Sequence, residues 1–245
     1  MTKLELKNQL KNLIQEFNFL SSKKYKLIIF TGLLGDFDSI EYAINLSKLI
    51  KNKNPDDLDI FFLAIGTQKG KEKFCKFTGF PESNLKIVES NHVHNLLGVS
   101  KGIDIGLGGW VNMTLMLMGI GSPKTIYEVL RGYTGDKKSS QIYSKDDLID
   151  IFNLFTLSGE LFEKSFGIGY LRPFELATFR LNNMIEILKN WNDYIINAKY
   201  LPQRSCSFIL DKKDEVIYKY FSKDILNYSS QMSSPLAFLS DYLKE

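Results

Sequence analysis

Two carboxylates and two thiols are the residues of this chain best placed to do chemistry. Asp36 and Asp38 close a glycine-bearing turn, Thr31-Gly-Leu-Leu-Gly-Asp36, that follows a short apolar run. A pair so placed could hold a divalent cation and serve a metal-dependent transferase. A phosphotransfer pair sits directly at a strand end, however, and here six turn residues precede Phe37. Asp38 followed by Glu41 also fits a capping box, in which each side chain satisfies backbone N–H groups left open at a helix start. Capping is the favoured use, and no metal is expected.

The thiols are Cys75 and Cys206. The thiolate is the reactive form, and a helix N-terminus lowers a thiol's pKa. No cysteine stands at the helix start that follows the 31–36 turn; a carboxylate occupies that electrostatic position. Ordinary CxxC dithiol exchange at this turn is therefore excluded. Cys75 has Lys73 and Lys76 close by, which would depress its pKa if the thiol faced outward, and Phe74 and Phe77 alongside, which favour burial. It is the candidate catalytic residue. His92 and His94 are two apart, a spacing that a helix does not bring together, and no third ligand stands near them in sequence. Gly119 to Thr125 departs from a phosphate loop at Pro123, where a glycine should precede the lysine. Arg172, Glu175 and Arg180 could bind an anion at a helix start, with internal ion pairing the favoured use.

The elements that position these residues follow from periodicity. Over residues 3–20, Leu10, Leu13, Ile14 and Phe17 recur at helical spacing, so an amphipathic helix is predicted to dock on the domain. Lys26–Phe30, Leu58–Ile65 and Leu85–Val88 are short apolar runs of the kind that form buried parallel strands. A helix from about Asp38 to Ile50 joins the first two strands, with a turn at Asn54-Pro-Asp-Asp57. Another, from Gly70 to Phe77, carries Cys75, and a helical turn is read over His92–Leu97. Residues 100–200 read as mostly helical. The polar stretch Thr134–Asp147 is expected to be a mobile loop, and the strongest helix runs from Pro173 to Trp191 with Leu188 on its apolar face. A hairpin over 207–221 and a helix over 235–243 complete the chain.

Several segments together resemble the peroxiredoxin-like AhpC/TSA antioxidant family, specifically its cyanobacterial branch. They are Ile28–Ser39, Phe74–Pro81, Gly109–Asn112, Ile120–Pro123, Val129–Tyr133, Arg172–Thr178 and Phe208–Asp211. The resemblance covers roughly residues 25–240. It implies a thioredoxin-like fold and an antioxidant role. In members with a CxxC, the two cysteines would fall near Gly35 and Asp38, so Gly35, Asp36, Phe37 and Asp38 mark a degenerate redox position. The resemblance also implies that the strand after Arg204 passes beside this turn. Arg204 and Cys206 would then wall the site, and Arg204 would pair with Asp36 or Asp38 in the absence of a thiolate.

Composition narrows the remaining choices. The 245 residues are 44% hydrophobic and 24% charged, with 18 Phe and 12 Tyr, as expected of a well-filled globular core. The net charge of +3 is scattered rather than gathered on one face, so no nucleic-acid partner is expected. The longest apolar stretch, Ile103–Gly121, contains Asp104, Asn112 and several glycines and does not read as a membrane span. The absence of a signal-peptide core and the scarcity of cysteine point to a cytoplasmic protein. The expectation is a single α/β domain over residues 1–245 with a thioredoxin-like mixed sheet flanked by helices. An N-terminal helical segment lies over 1–22, and a long helical insertion over 100–200 precedes the C-terminal β-hairpin. No cofactor is expected. A non-catalytic module binding a protein or lipid partner, motivated by the missing CxxC and the Met-rich segment Gly106–Gly121 and compatible with peripheral membrane association, ranks above a thiol peroxidase using Cys75.

Overall fold

The computed structural model describes residues 2–53, 55–151 and 155–243. Helix α1 (Lys3–Glu16) opens with a reciprocal cap: the Thr2 hydroxyl accepts from the Glu5 N–H, and the Glu5 carboxylate accepts from the Thr2 N–H. Leu6, Leu10, Leu13 and Ile14 bury its inner side. The helix stops short of residue 20 because Asn18 adopts a left-handed φ of 55°, which turns Phe19 into the core. Strand β1 (Tyr25–Leu33) extends beyond Phe30 because Leu33 finds a partner in Ile65 after a register shift. Helix α2 (Phe37–Lys53) then leads to strand β2 (Leu58–Ile65). Asn54 of the predicted turn lies outside the described residues. Helix α3 (Gln68–Thr78) is capped by Thr67 and ended by Gly79 at φ 70°, and strand β3 (Leu85–Val88) and helix α4 (His92–Leu96) follow.

The insertion comes next. It comprises α5 (Gly109–Leu117), α6 (Pro123–Thr134), the strands β4 (Leu148–Ile151) and β5 (Phe155–Ser158), α7 (Gly159–Phe166), α8 (Glu175–Lys189) and α9 (Trp191–Tyr194). Helices make up most of its regular structure, as expected, and the short antiparallel pair β4–β5 is an addition that the pattern did not suggest. Helix α8 starts at Glu175 rather than Pro173 because Phe174 sits at φ 64°, and Leu188 faces solvent instead of the core. The 134–147 segment has only a turn-like course, but it is tied down. The Glu175 carboxylate accepts from the N–H groups of Ile142 and Tyr143, both at 2.8 Å, and Arg172 donates to the Tyr143 carbonyl at 2.6 Å. The chain returns through β6 (Cys206–Asp211) and β7 (Val216–Phe221) and ends in a 3-10 helix over Ala237–Tyr242, in place of the α-helix expected there.

The five-stranded sheet has the order β3-β2-β1-β6-β7. β1, β2 and β3 are parallel, β6 is antiparallel to β1, and β7 is antiparallel to β6. This mixed sheet flanked by helices is the thioredoxin-like α/β arrangement expected, with the insertion between β3 and the terminal hairpin. Central β1 is covered on both faces, so Leu27, Ile28, Ile29 and Phe30 are all fully buried. That placement puts the β1–α2 turn at the end of the central strand, where open α/β sheets carry their sites.

Candidate functional site

The turn after β1 is held by backbone bonds from Leu34 N–H to the Ile65 carbonyl and from Asp36 N–H to the Leu33 carbonyl, both 2.9 Å. Asp36 stands at the N-cap position of α2, where its carbonyl accepts from Ile40 N–H at 3.2 Å. The capping-box reading of Asp38 and Glu41 is thereby corrected. Asp38 is wholly buried and turns inward, and Glu41 reaches across to Arg180 at 2.8 Å.

Arg204, also wholly buried, lies against both carboxyls, 3.2 Å from Asp38 and 3.7 Å from Asp36. Its remaining donors go to the carbonyls of Pro202 at 2.8 Å and Leu201 at 3.2 Å. One guanidinium therefore faces two carboxyls in a dry site. Burial pushes the pKa of Asp36 up against the pull of Arg204. Burial pushes Asp38 well up, the neighbouring charge of Asp36 adds to it, and Arg204 works the other way. The pair thus keeps a proton at pH values where an ordinary Asp is ionised. Asp36 Oδ2 and Asp38 Oδ1 make no hydrogen bond.

Two glycines explain how the turn is closed off. A Cβ at Gly32 would lie 2.8 Å from the Gln203 carbonyl, so glycine is what lets the 203–204 backbone pass beside β1. A Cβ at Gly35 would lie 2.8 Å from Ile195 Cδ1 and 2.9 Å from Tyr194 Cβ. The α9 segment of the insertion therefore seals the turn where a dithiol would need access.

Behind the turn, His94 Nε2 donates to the Thr31 carbonyl at 2.6 Å; a carbonyl only accepts, so the proton sits on Nε2 and Nδ1 is bare. Burial drives the His94 pKa down to about 4 and keeps the ring neutral. His92 is engaged separately with Ser90 at 3.1 Å. Setting the two histidines aside as metal ligands left this positioning role unread, and the sequence offered no signal for it beyond a histidine in a helical turn after β3. Also unread was the ionic layer made by Arg180, which pairs with Glu41 and, at 3.3 Å, with Glu128, itself bonded to Arg131 at 2.7 Å. Arg172 pairs instead with Glu175 at 2.6 Å. Both guanidinium groups of the suggested anion site are thus spent internally.

Cys75, on α3, is buried; desolvation, with the charge of Glu82, pushes its pKa to about 11 against the opposing effect of Lys71. Lys73, expected to activate it, donates instead to Asn190 at 2.7 Å and Asp193 at 2.6 Å. Cys206 opens β6 opposite Phe30 of β1 and Phe221 of β7, and full burial pushes its pKa well up. Neither is in a disulfide. Among the described residues no group of three or more His, Cys, Asp and Glu is arranged to hold a metal, and Arg204 fills the cation's place between Asp36 and Asp38. A cavity of about 750 Å³ is lined by α1, the 97–100 turn and β7 and shares no residue with this site. No family model matches the chain, and no curated protein matches it.

Proposed function

We propose that this chain is a peroxiredoxin-like protein of the AhpC/TSA type in which the redox position has become a structural ion cluster, and that it works as a non-catalytic binding or assembly module in the reducing cytoplasm. The observation that carries this reading is the buried Asp36–Asp38–Arg204 trio, closed over by Tyr194 and Ile195. A peroxide-reducing thiol needs a thiolate and a path for its oxidant. The place where activation would be available holds no sulfur, and Cys75 and Cys206 sit where burial disfavours ionisation.

The test is intact-mass labelling of the native protein with a sulfenic-acid trap after substoichiometric peroxide, with Cys75→Ser and Cys206→Ser as controls. The expected result is no adduct until the protein is denatured. Rapid native labelling that disappears only in Cys75→Ser would make the chain a one-cysteine peroxidase and end the non-catalytic reading.

A further inference from the structure

Helix α6 is folded with its polarity reversed. Thr125, Glu128, Arg131 and Gly132 are its buried residues. Its outward side carries Ile126, Tyr127, Leu130 and Tyr133, between 46% and 67% exposed. A surface helix ordinarily does the opposite. The reversal has a local cause: Glu128 and Arg131 must reach inward to complete the layer with Arg180 and Glu41, so the apolar side is left outside. Met118 before the helix and Phe174, whose ring meets Tyr133 edge-on at 6.0 Å, extend the stripe.

The charges around the stripe identify what covers it. Between residues 101 and 138, Lys101, Lys124, Lys137 and Lys138 are exposed, whereas Glu128 and Asp136 are spent on Arg131. Asp104 is the remaining acid of this stretch, and it accepts from Asn112 and from Gly106 N–H. Lys124 lies in the first turn of α6, three positions before Tyr127 on the same side; Asp224, buried at that end, accepts from Lys124 N–H at 3.2 Å, and Lys137 and Lys138 follow the helix by three and four positions. A second copy laid along the stripe in either direction would bring lysine against lysine. A protruding strip of aromatic and aliphatic side chains flanked by cations matches the boundary of an anionic bilayer, where aromatic rings lie at headgroup depth and lysines meet phosphate.

We propose that the outward face of α6, with Met118 and Phe174, is a docking surface for a membrane bearing anionic headgroups. This rests on the binding-module reading above and names its partner. Among the described residues no helix is long and apolar enough to cross a membrane, so attachment would be at the surface.

The experiment is flotation of the full chain with vesicles of phosphatidylcholine alone and with roughly one-third phosphatidylglycerol, at low and high salt. Light scattering on the free protein gives its oligomeric state. The expected result is flotation with the anionic vesicles only, weakened by salt. The apolar pair Leu130→Ser/Tyr133→Ser and the charge pair Lys137→Glu/Lys138→Glu are each expected to lower the bound fraction about ten-fold or more, with melting temperatures close to wild type. If the apolar pair compromises folding, the charge pair reads the same contact. The proposal is overturned if the wild type stays with neither vesicle, or if both pairs float like the wild type. It is equally overturned if the wild type is a dimer that the apolar pair converts to monomer, which would assign the stripe to a second copy. None of these results bears on the redox reading, which the thiol labelling decides separately.

Discussion

Replacing Asp38 by Asn removes one of the two carboxyls facing Arg204 and leaves the guanidinium with Asp36 at 3.7 Å and the carbonyls of Pro202 and Leu201. Because the site holds one carboxyl more than its single cation can neutralise, this loss is expected to be small, under about 1 kcal/mol. Asp36→Asn is expected to behave alike, since Asn caps a helix about as well as Asp. The double variant is different: it strands a fully buried guanidinium, a change that costs about 3–5 kcal/mol in comparable buried pairs. The coupling between the two sites should therefore be roughly 2–4 kcal/mol, and the double variant should melt on the order of 10 °C lower. The pH dependence has a definite sign. The raised carboxyl contributes stability that is complete below the ordinary Asp pKa and is lost as pH rises through the folded pKa of the pair. Either single Asn variant should flatten that decline, so Asp38→Asn should gain on the wild type at alkaline pH. Urea unfolding followed by far-UV circular dichroism, at about pH 5 and about pH 8, measures all four corners of the cycle. Additivity within about 0.5 kcal/mol, or a single variant as costly as the double, would refute the shared-charge account.

Other consequences follow from the same contacts. His94 is neutral in the fold with a pKa of about 4, so the stability it contributes is present above about 6.5 and is lost as pH falls towards 4; His94→Gln should remove about 3 kcal/mol of that acid-side dependence, read by the same urea titrations. Burial alone would raise the Glu175 pKa, but hydrogen bonds from Arg172 and from backbone N–H groups hold it below the usual range, so its contribution is lost as pH falls through the lowered value. Glu175→Gln should cost about 3–5 kcal/mol by leaving Arg172 buried without its partner, and amide exchange at Ile142 and Tyr143 should accelerate; unchanged protection there would contradict the tethering of the 134–147 segment. Gly35→Ala should destabilise by about 1–3 kcal/mol through overpacking against Tyr194 and Ile195, and limited proteolysis should then cut near α9.

Much of the frame could be read from the order of residues. The runs Leu58–Ile65 and Leu85–Val88 form strands at those same bounds, because short, mostly apolar runs bounded by turns favour strands even where Asp59 or Lys86 interrupts them. The terminal hairpin and the β1–α2 turn were legible for similar reasons, as local preferences of apolar runs and of glycine. The close approach of Arg204 to the turn was legible only through the family resemblance, and geometry then put it nearer Asp38 than Asp36. The β4–β5 pair was not legible, since Leu148–Ile151 is too short to separate a strand from a helical turn by its period.

What the sequence by itself determined was the strand–helix alternation and the lack of sulfur at the helix start. Tertiary structure decided that Asp38 turns inward to an ion pair instead of capping its helix, because that depends on where a guanidinium 166 positions away arrives. It likewise decided which side of α6 faces in. Helical period shows that Ile126, Leu130 and Tyr133 share a side, and ordinarily that side would be core. The inward pull comes instead from Arg180, which bridges to Glu41 across 139 positions and brings Glu128 and Arg131 in with it. Buried charge must find its partner wherever the fold places it, and that requirement overrides the local preference of a helix for burying its apolar side.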